Sequence, residues 1–392
     1  MIYIHFRETK GDMNMTIFSK KKKAAIILIA VLAVIILTII MIPRLLFTDY
    51  DGRPLTGKYA VAQTEAILID SSRIETFEKD GSFREVPAHF YFPENYLAEN
   101  GEKSLHSLPL VIFSHGAFGY YQSNTSTYME LASNGYVVVS LDHPYHSFFT
   151  KDSKGKTITV DPTFIKTAMS VGNDPEAEYS EEEIYEITSV WMNLRLEDMN
   201  FVVDTIKEAA EGSYGDSWYF AKDKELTEEA VSLIDTTKIG LMGHSLGGAT
   251  AVTVGRRADI GAVVDLDGTM LGEELGVENG VPVINQEPYT TPLLCITNEP
   301  HHMEAAEAGK LSYSYANNVR LNNADEGFET YVVGSEHMDF TDLPLFSPFL
   351  ANMLGKGEVD AAYCIDTTNA LVRDFFNCYL KGEGTFTVQE SY

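Results

Sequence analysis

Two rhythms of apolar and polar positions interleave along residues 57–392. Short runs of β-branched and aromatic residues predict strands at 58–70 and 84–92, joined by a polar turn at Asp80-Gly81. Further strands are predicted at 108–114, 136–141, 239–242, 262–267, 293–297 and 330–333. Several of these runs are apolar throughout, as strands buried on both faces are. Between them, helical spacing predicts 126–134, 181–210, 302–317 and 361–380. In the longest, Ile184, Ile187, Val190, Leu194, Met199, Val202, Val203 and Ile206 fall on one side. Residues 147–180 lack a clear period and 212–235 are polar and acidic, so both predict surface excursions. Strands alternating with helices imply an α/β fold, a mostly parallel central sheet with helices on both faces.

One stretch near the amino terminus departs from this pattern. Ala24 to Ile42 is an apolar run of 19 residues interrupted only by Thr38, long enough to cross a bilayer core. Lys20, Lys21, Lys22 and Lys23 precede it and should stay cytoplasmic, which sends the rest of the chain outside. The expected organisation is a basic cytoplasmic segment (1–23), a transmembrane anchor (24–42), a linker (43–56) and an extracytoplasmic domain (57–392), a single-pass protein of the cell membrane. A cleaved signal peptide shares the charged start. The run is long for one, however, and Ile40-Met-Ile-Pro-Arg-Leu-Leu46 offers no small-x-small cleavage site.

Charge and composition narrow the function classes. The net charge is −28, and residues 1–47 carry seven Lys/Arg against two Asp/Glu, which leaves −33 on the remainder. So negative a domain is excluded as a nucleic-acid binder and held at a membrane by a tether rather than by charge. The 21 Tyr and 21 Phe support a sizeable core. Cys295, Cys364 and Cys378 form no disulfide framework, and only Cys364 with Cys378 is left open as a pair.

The chemistry centres on Gly243-His-Ser-Leu-Gly247, set between the strand 239–242 and a small-residue helical stretch from Gly248 to Val254. A strand that turns abruptly into a helix with serine at the apex holds that serine in strained backbone with its hydroxyl clear of the sheet. Serine is a poor nucleophile until a base takes its proton, and the base needs a carboxylate to fix its tautomer. In such sheets the chain order is serine, acid, histidine. Of the ten histidines, His143 and His146 precede Ser245, His301 and His302 fall before the last strand, and His244 is in the elbow itself. His337 follows the last strand in Gly334-Ser-Glu-His337 and is the expected base. Asp267 and Glu299 end consecutive strands and stand level as the acid on position alone, with Asp265 two residues before Asp267. Two N–H donors for an oxyanion are expected from Leu246, after the serine, and from Ala117 or its neighbour Gly116 in the loop after 108–114.

With these residues in view, Phe113-Ser-His-Gly116, Asp142-His-Pro144, Gly243-His-Ser-Leu-Gly-Gly-Ala-Thr250, Asp265-Leu-Asp267 and His337 with Asp342 resemble the plasma (type II) platelet-activating-factor acetylhydrolases and their bacterial relatives. Asp70-Ser-Ser-Arg73, the Arg84–Pro93 segment and Ile296-Thr-Asn-Glu299 are also similar, and the likeness runs from about residue 57 to 380. The resemblance implies the α/β-hydrolase fold, with Ser245 as nucleophile, Asp267 as acid, His337 as base, and the Ala117 and Leu246 N–H groups as oxyanion donors. It also implies calcium-independent cleavage of short or oxidised acyl chains from phospholipids, or of small esters. Leu246 departs from the Phe of the animal enzymes, and the excursions 147–180 and 212–235 are dissimilar.

The expectation is a serine carboxylic-ester hydrolase working through an acyl-enzyme, with no metal or organic cofactor. Its partners would be an ester or phospholipid substrate and the membrane. Alternatives are a polyester or lipid esterase or an acyltransferase on the same triad, and a non-catalytic binding domain on a hydrolase scaffold.

Overall fold

The computed structural model describes residues 41, 44, 46–173, 179–307 and 314–392. The segment 1–23 and, Met41 apart, the apolar run 24–42 lie outside the described residues. Among the described residues no helix is long and apolar enough to cross a membrane.

The strands come in chain order. β1 (Val61–Ile74), β2 (Phe83–Pro93), β3 (Leu108–Ser114) and β4 (Val137–Leu141) lie in the amino-terminal half. β5 (Phe149–Lys151) and β6 (Thr157–Thr159) make a separate ribbon. β7 (Trp218–Phe220), β8 (Ile234–His244) and β9 (Ala262–Leu266) follow. β10 (Glu274–Glu278) and β11 (Val281–Ile284) form a second ribbon, and β12 (Leu293–Asn298) and β13 (Gly327–Val332) complete the set. Nine of them build one sheet in the order β13-β12-β9-β8-β3-β4-β2-β1-β7. The run from β13 to β4 is parallel throughout, whereas β2, β1 and β7 extend the sheet in antiparallel fashion. The sheet is therefore mixed, with its parallel part on one side.

Alternate residues of the apolar strands feed two cores, which is why these runs carry no polar face. Leu110, Ile112, Val137, Val139 and Leu241 pack with Met199, Val202, Val203 and Ile206 of the helix Glu181–Ala210. Val111, Phe113, Val138 and Met242 pack on the opposite face, with Tyr128 and Leu131 of the helix Thr125–Ser133 and Val372 and Phe375 of the helix Ala361–Phe376. Register aligns the carboxyl ends: Ser114 pairs with Gly243 and Gly243 with Asp265. Parallel sheets place their ligand sites along such an edge.

Several expectations need correction. The excursion 147–180 carries regular structure, the β5–β6 ribbon and a helix, Pro162–Asn173. The 212–235 stretch is more than surface: it supplies β7, paired with Ala66–Leu68 at the sheet edge, and the helix Lys224–Ser232. The helix predicted over 302–317 is described as two, Glu299–Glu307 and Ser314–Asn322. In the long helix Val190 is 68% exposed, while Arg195 and Asp198 are fully buried on the core side. Cys364 and Cys378 are both free.

The stretch expected as a linker lies along the domain. The Thr48 N–H donates to the Phe346 carbonyl at 2.8 Å, the Phe47 ring stacks on Phe346, and Arg53 pairs with Asp366.

Candidate active site

Ser245 has φ +56° and ψ −125°, between β8 and the helix Leu246–Val254. Backbone this strained persists only where its surroundings over-determine it. Here the flanking glycines do so. A Cβ on Gly243 would lie 2.2 Å from the Gly247 carbonyl carbon, and one on Gly247 would lie 1.9 Å from the Ser114 carbonyl oxygen. The elbow is wedged against the end of β3. The Ala249 N–H already donates to the Ser245 carbonyl at 3.1 Å, so the helix starts at once after the serine. Its first N–H groups, that of Leu246 among them, have no acceptor within the helix.

Asp267, just past β9, is fully buried. Its Oδ2 accepts from His337 Nδ1 at 2.6 Å and Asn298 Nδ2 at 2.7 Å. Its Oδ1 accepts from the Asn298 N–H and from His301 Nδ1, both at 2.8 Å. Burial alone would push this carboxyl up, but the hydrogen bonds from His301 and His337 overcome it and hold the group well below the usual carboxylate range. A carboxylate only accepts, so His337 carries its proton on Nδ1 and keeps Nε2 as the basic nitrogen.

His337 opens the short helix His337–Phe340 after β13 and is partly exposed. Its carbonyl accepts from His244 Nε2 at 3.0 Å, and the two rings lie 4.5 Å apart. His337 is thereby tied to the residue that precedes Ser245. Burial pushes His244 down to about 3, with the neighbouring His337 adding to the effect, so it remains a neutral donor. Glu299 does other work: its Oε2 accepts from the Gly334 N–H at 2.7 Å and holds the start of the His337 loop. Asp265 lies under the elbow with Oδ1 on the Gly268 N–H at 3.0 Å. Burial, and then the Asp267 charge, push it up to about 8.

The loop after β3 closes the other side. A Cβ on Gly116 would sit 2.9 Å from His244 Nδ1 and 3.2 Å from Ser245 Cβ, so the loop passes the elbow too closely to carry a side chain there. Ala117 follows, half-buried, beside the helix start at Leu246. Leu246, Ala249, Met192 and Phe164 form a small apolar cluster on which Ala117, Phe118 and Trp191 pack. Phe164 comes from the excursion 147–180, which thus reaches the site.

The family model of platelet-activating factor acetylhydrolase, isoform II, matches residues 94–389. The chain belongs to this family. The platelet-activating factor acetylhydrolase of Canis lupus familiaris is 24% identical over 311 residues, covering 75% of this chain and 60% of the dog protein. A probable 1-alkyl-2-acetylglycerophosphocholine esterase of Arthroderma benhamiae is 21% identical over 293 residues, 71% of this chain and 62% of that one. The chain spans about three fifths of the length of these curated relatives. A ferulic acid esterase from Streptomyces cinnamoneus shares the fold, with a TM-score of 0.56 over 85% of this chain and 93% of its own at 18% identity.

In this acetylhydrolase-family chain several residues at or near the site had no role assigned from the sequence. Asn298 and His301 complete the shell of Asp267; His301 was set aside because it precedes the last strand. Behind the β3 loop lies a fully buried second set, Ser114 Oγ 2.9 Å from His143 Nε2 and His143 Nδ1 2.9 Å from Asp198 Oδ2. Asp198 also accepts from Arg84 Nη2 at 2.6 Å and Arg73 Nη2 at 2.9 Å. Sealed from solvent, this set meets no substrate and braces the loop. The available signal was helical: Arg195 and Asp198 fall four residues before Met199 and Val202, inside the apolar stripe.

Proposed function

We propose that this protein is a serine carboxylic-ester hydrolase of the α/β-hydrolase fold. The observation that carries the reading is the 2.6 Å hydrogen bond from His337 Nδ1 to buried Asp267, on a histidine tied through His244 to the strained Ser245. Ser245 Oγ attacks the ester carbonyl while His337 Nε2 takes its proton. Asp267 holds the imidazole and balances the imidazolium that forms. The Ala117 and Leu246 N–H groups receive the oxyanion. Collapse of the tetrahedral adduct expels the alcohol with the proton from His337, and water deacylates Ser245 by the same steps.

The relatives' names, an acetylhydrolase and a 1-alkyl-2-acetylglycerophosphocholine esterase, favour a short acyl ester of a glycerophospholipid as substrate. The small apolar cluster beside Leu246 suits an acyl group of few carbons. The apolar run 24–42 is read as a single-pass anchor, with the domain extracytoplasmic. Residues 46–48 bonded onto 345–347, with Phe349, Met353 and Leu354 exposed nearby in sequence, support a domain seated close to its tether.

The test is a fluorophosphonate probe followed by a substrate panel. Labelling at Ser245, and release of free acetate from 1-alkyl-2-acetylglycerophosphocholine faster than long-chain acid from its diacyl counterpart, are expected. An acyl product that forms only with an acceptor other than water would mean a transferase.

A further inference from the structure

Arg195, one of the two fully buried arginines that are the largest side chains in the core among the described residues, lies on the helix Glu181–Ala210 against the β3 loop. Its hydrogen-bond partners are neutral: Nη1 donates to the His115 carbonyl and to Ser114 Oγ (3.4 Å), Nη2 to the Gly116 carbonyl (3.2 Å), and Nε to His146 Nδ1 (3.4 Å). The nearby carboxylate, Asp198, is taken up by Arg84, Arg73 and His143. Burying a cation against neutral acceptors is costly, and such an arrangement persists where something else depends on it.

The loop geometry shows what depends on it. The Gly116 carbonyl accepts from Arg195 Nη2 and also from His115 Nδ1 at 2.7 Å. That carbonyl shares one peptide plane with the Ala117 N–H, and no peptide bond here is cis. In a trans peptide the C=O and N–H point in opposite directions. Clamping the Gly116 oxygen on the Arg195 side therefore turns the Ala117 N–H away from Arg195, in a loop so close to the elbow that a Cβ on Gly116 would lie 3.2 Å from Ser245 Cβ.

We propose that Arg195 is the positioning residue of the oxyanion-binding peptide: it holds the His115 and Gly116 carbonyls so that the Ala117 N–H faces the reacting oxygen, and its charge polarises that peptide. The proposal rests on the ester-hydrolase reading above. Burial pushes the guanidinium down to about 9, which leaves it charged at neutral pH. Burial first, then this charge, keep the flanking His115, His143 and His146 neutral.

The test uses the full chain and its Arg195→Met and Arg195→Lys variants, with Ser245→Ala as control. Three readouts are taken: kcat and KM on an acetyl ester, affinity for a trifluoromethyl ketone that forms a tetrahedral adduct, and thermal unfolding. For folded Arg195→Met, kcat should fall about 100- to 1,000-fold with KM changed less than about threefold, and ketone affinity should fall in parallel with kcat. Arg195→Lys keeps the charge but cannot span both carbonyls, so it should lose about 10- to 100-fold. Unchanged kcat and ketone affinity in a folded variant, or a rise in KM alone, would overturn the proposal. So would failure of both variants to fold, which assigns Arg195 to the core alone. Absence of fluorophosphonate labelling at Ser245 in the unmodified protein overturns the hydrolase reading and the proposal together. Labelling with intact ketone affinity in the variants overturns the proposal alone.

Discussion

His301 Nδ1 lies 2.8 Å from Asp267 Oδ1, on the carboxylate oxygen opposite the one that holds His337. One buried negative charge therefore serves two histidines. Burial works to lower His301, but the hydrogen bond to Asp267 and its charge prevail and raise it. A protonated His301 competes with the His337 imidazolium for the same carboxylate, and the Glu304 and Glu336 charges favour that protonation.

Removing this competitor should leave all of the Asp267 charge to His337. For His301→Gln, the part of the acid-side fall in kcat/KM that comes from protonation of His301, which the Asp267 hydrogen bond favours, should be lost, and the profile should flatten there. A pH–rate series on a short p-nitrophenyl ester checks this, and a profile identical to that of the unmodified protein would contradict it.

The buried histidines set the acid stability. Burial first, with the Arg195 charge next for two of them, pushes His143 down to about 4 and His146 to about 2; burial and His337 push His244 to about 3. Between these values and an unfolded value of about 6.5, the unfolded chain binds more protons than the fold. Their contribution is thus fully present above pH ~6.5 and is lost as pH falls, at about 1.4 kcal/mol per pH unit for each group. His89 and His301, and the carboxyls Asp265, Glu274 and Asp342, are raised and act in the opposite sense. The test is therefore a difference: with His146 replaced by a non-titrating residue, the thermal midpoint should lose less between pH 7 and 5 than that of the unmodified protein. An identical pH dependence in the two proteins would contradict the account.

Phe164 should limit acyl length. It is 4% exposed, meets Trp191 edge-on at 5.3 Å and lies 5.3 Å from Phe118. Phe164→Ala opens space beside Leu246 at a cost of about 3–5 kcal/mol in stability. The ratio of kcat/KM for octanoyl over acetyl ester should rise about tenfold or more, as a few added methylenes gain contact. An unchanged ratio would place the acyl group elsewhere.

Much of this was legible in the chain because it is local. The elbow declares itself by glycines that leave no room for a Cβ, and strands such as Leu108–Ser114 by apolar runs that feed two cores. Asp267 and Glu299 could not be told apart on position, since both end strands; what separates them is tertiary, one reaching His337 and the other the Gly334 N–H. Arg195 and Asp198 were missed because helical periodicity reads charge as solvent-facing, whereas here an apolar stripe carries a buried ionic network. β7 was missed because three residues in an acidic stretch become a strand only against the exposed edge of β1.

The central claim is that Ser245, His337 and Asp267 act as one unit. Burst kinetics on p-nitrophenyl acetate should be compared for the unmodified chain, Ser245→Ala, Asp267→Asn and Glu299→Gln. The account predicts no burst with Ser245→Ala, a loss of about 10⁴-fold with Asp267→Asn because its amide stabilises the wrong tautomer, and a far smaller effect with Glu299→Gln. A burst surviving Ser245→Ala, or a loss with Glu299→Gln that matches Asp267→Asn, would contradict it.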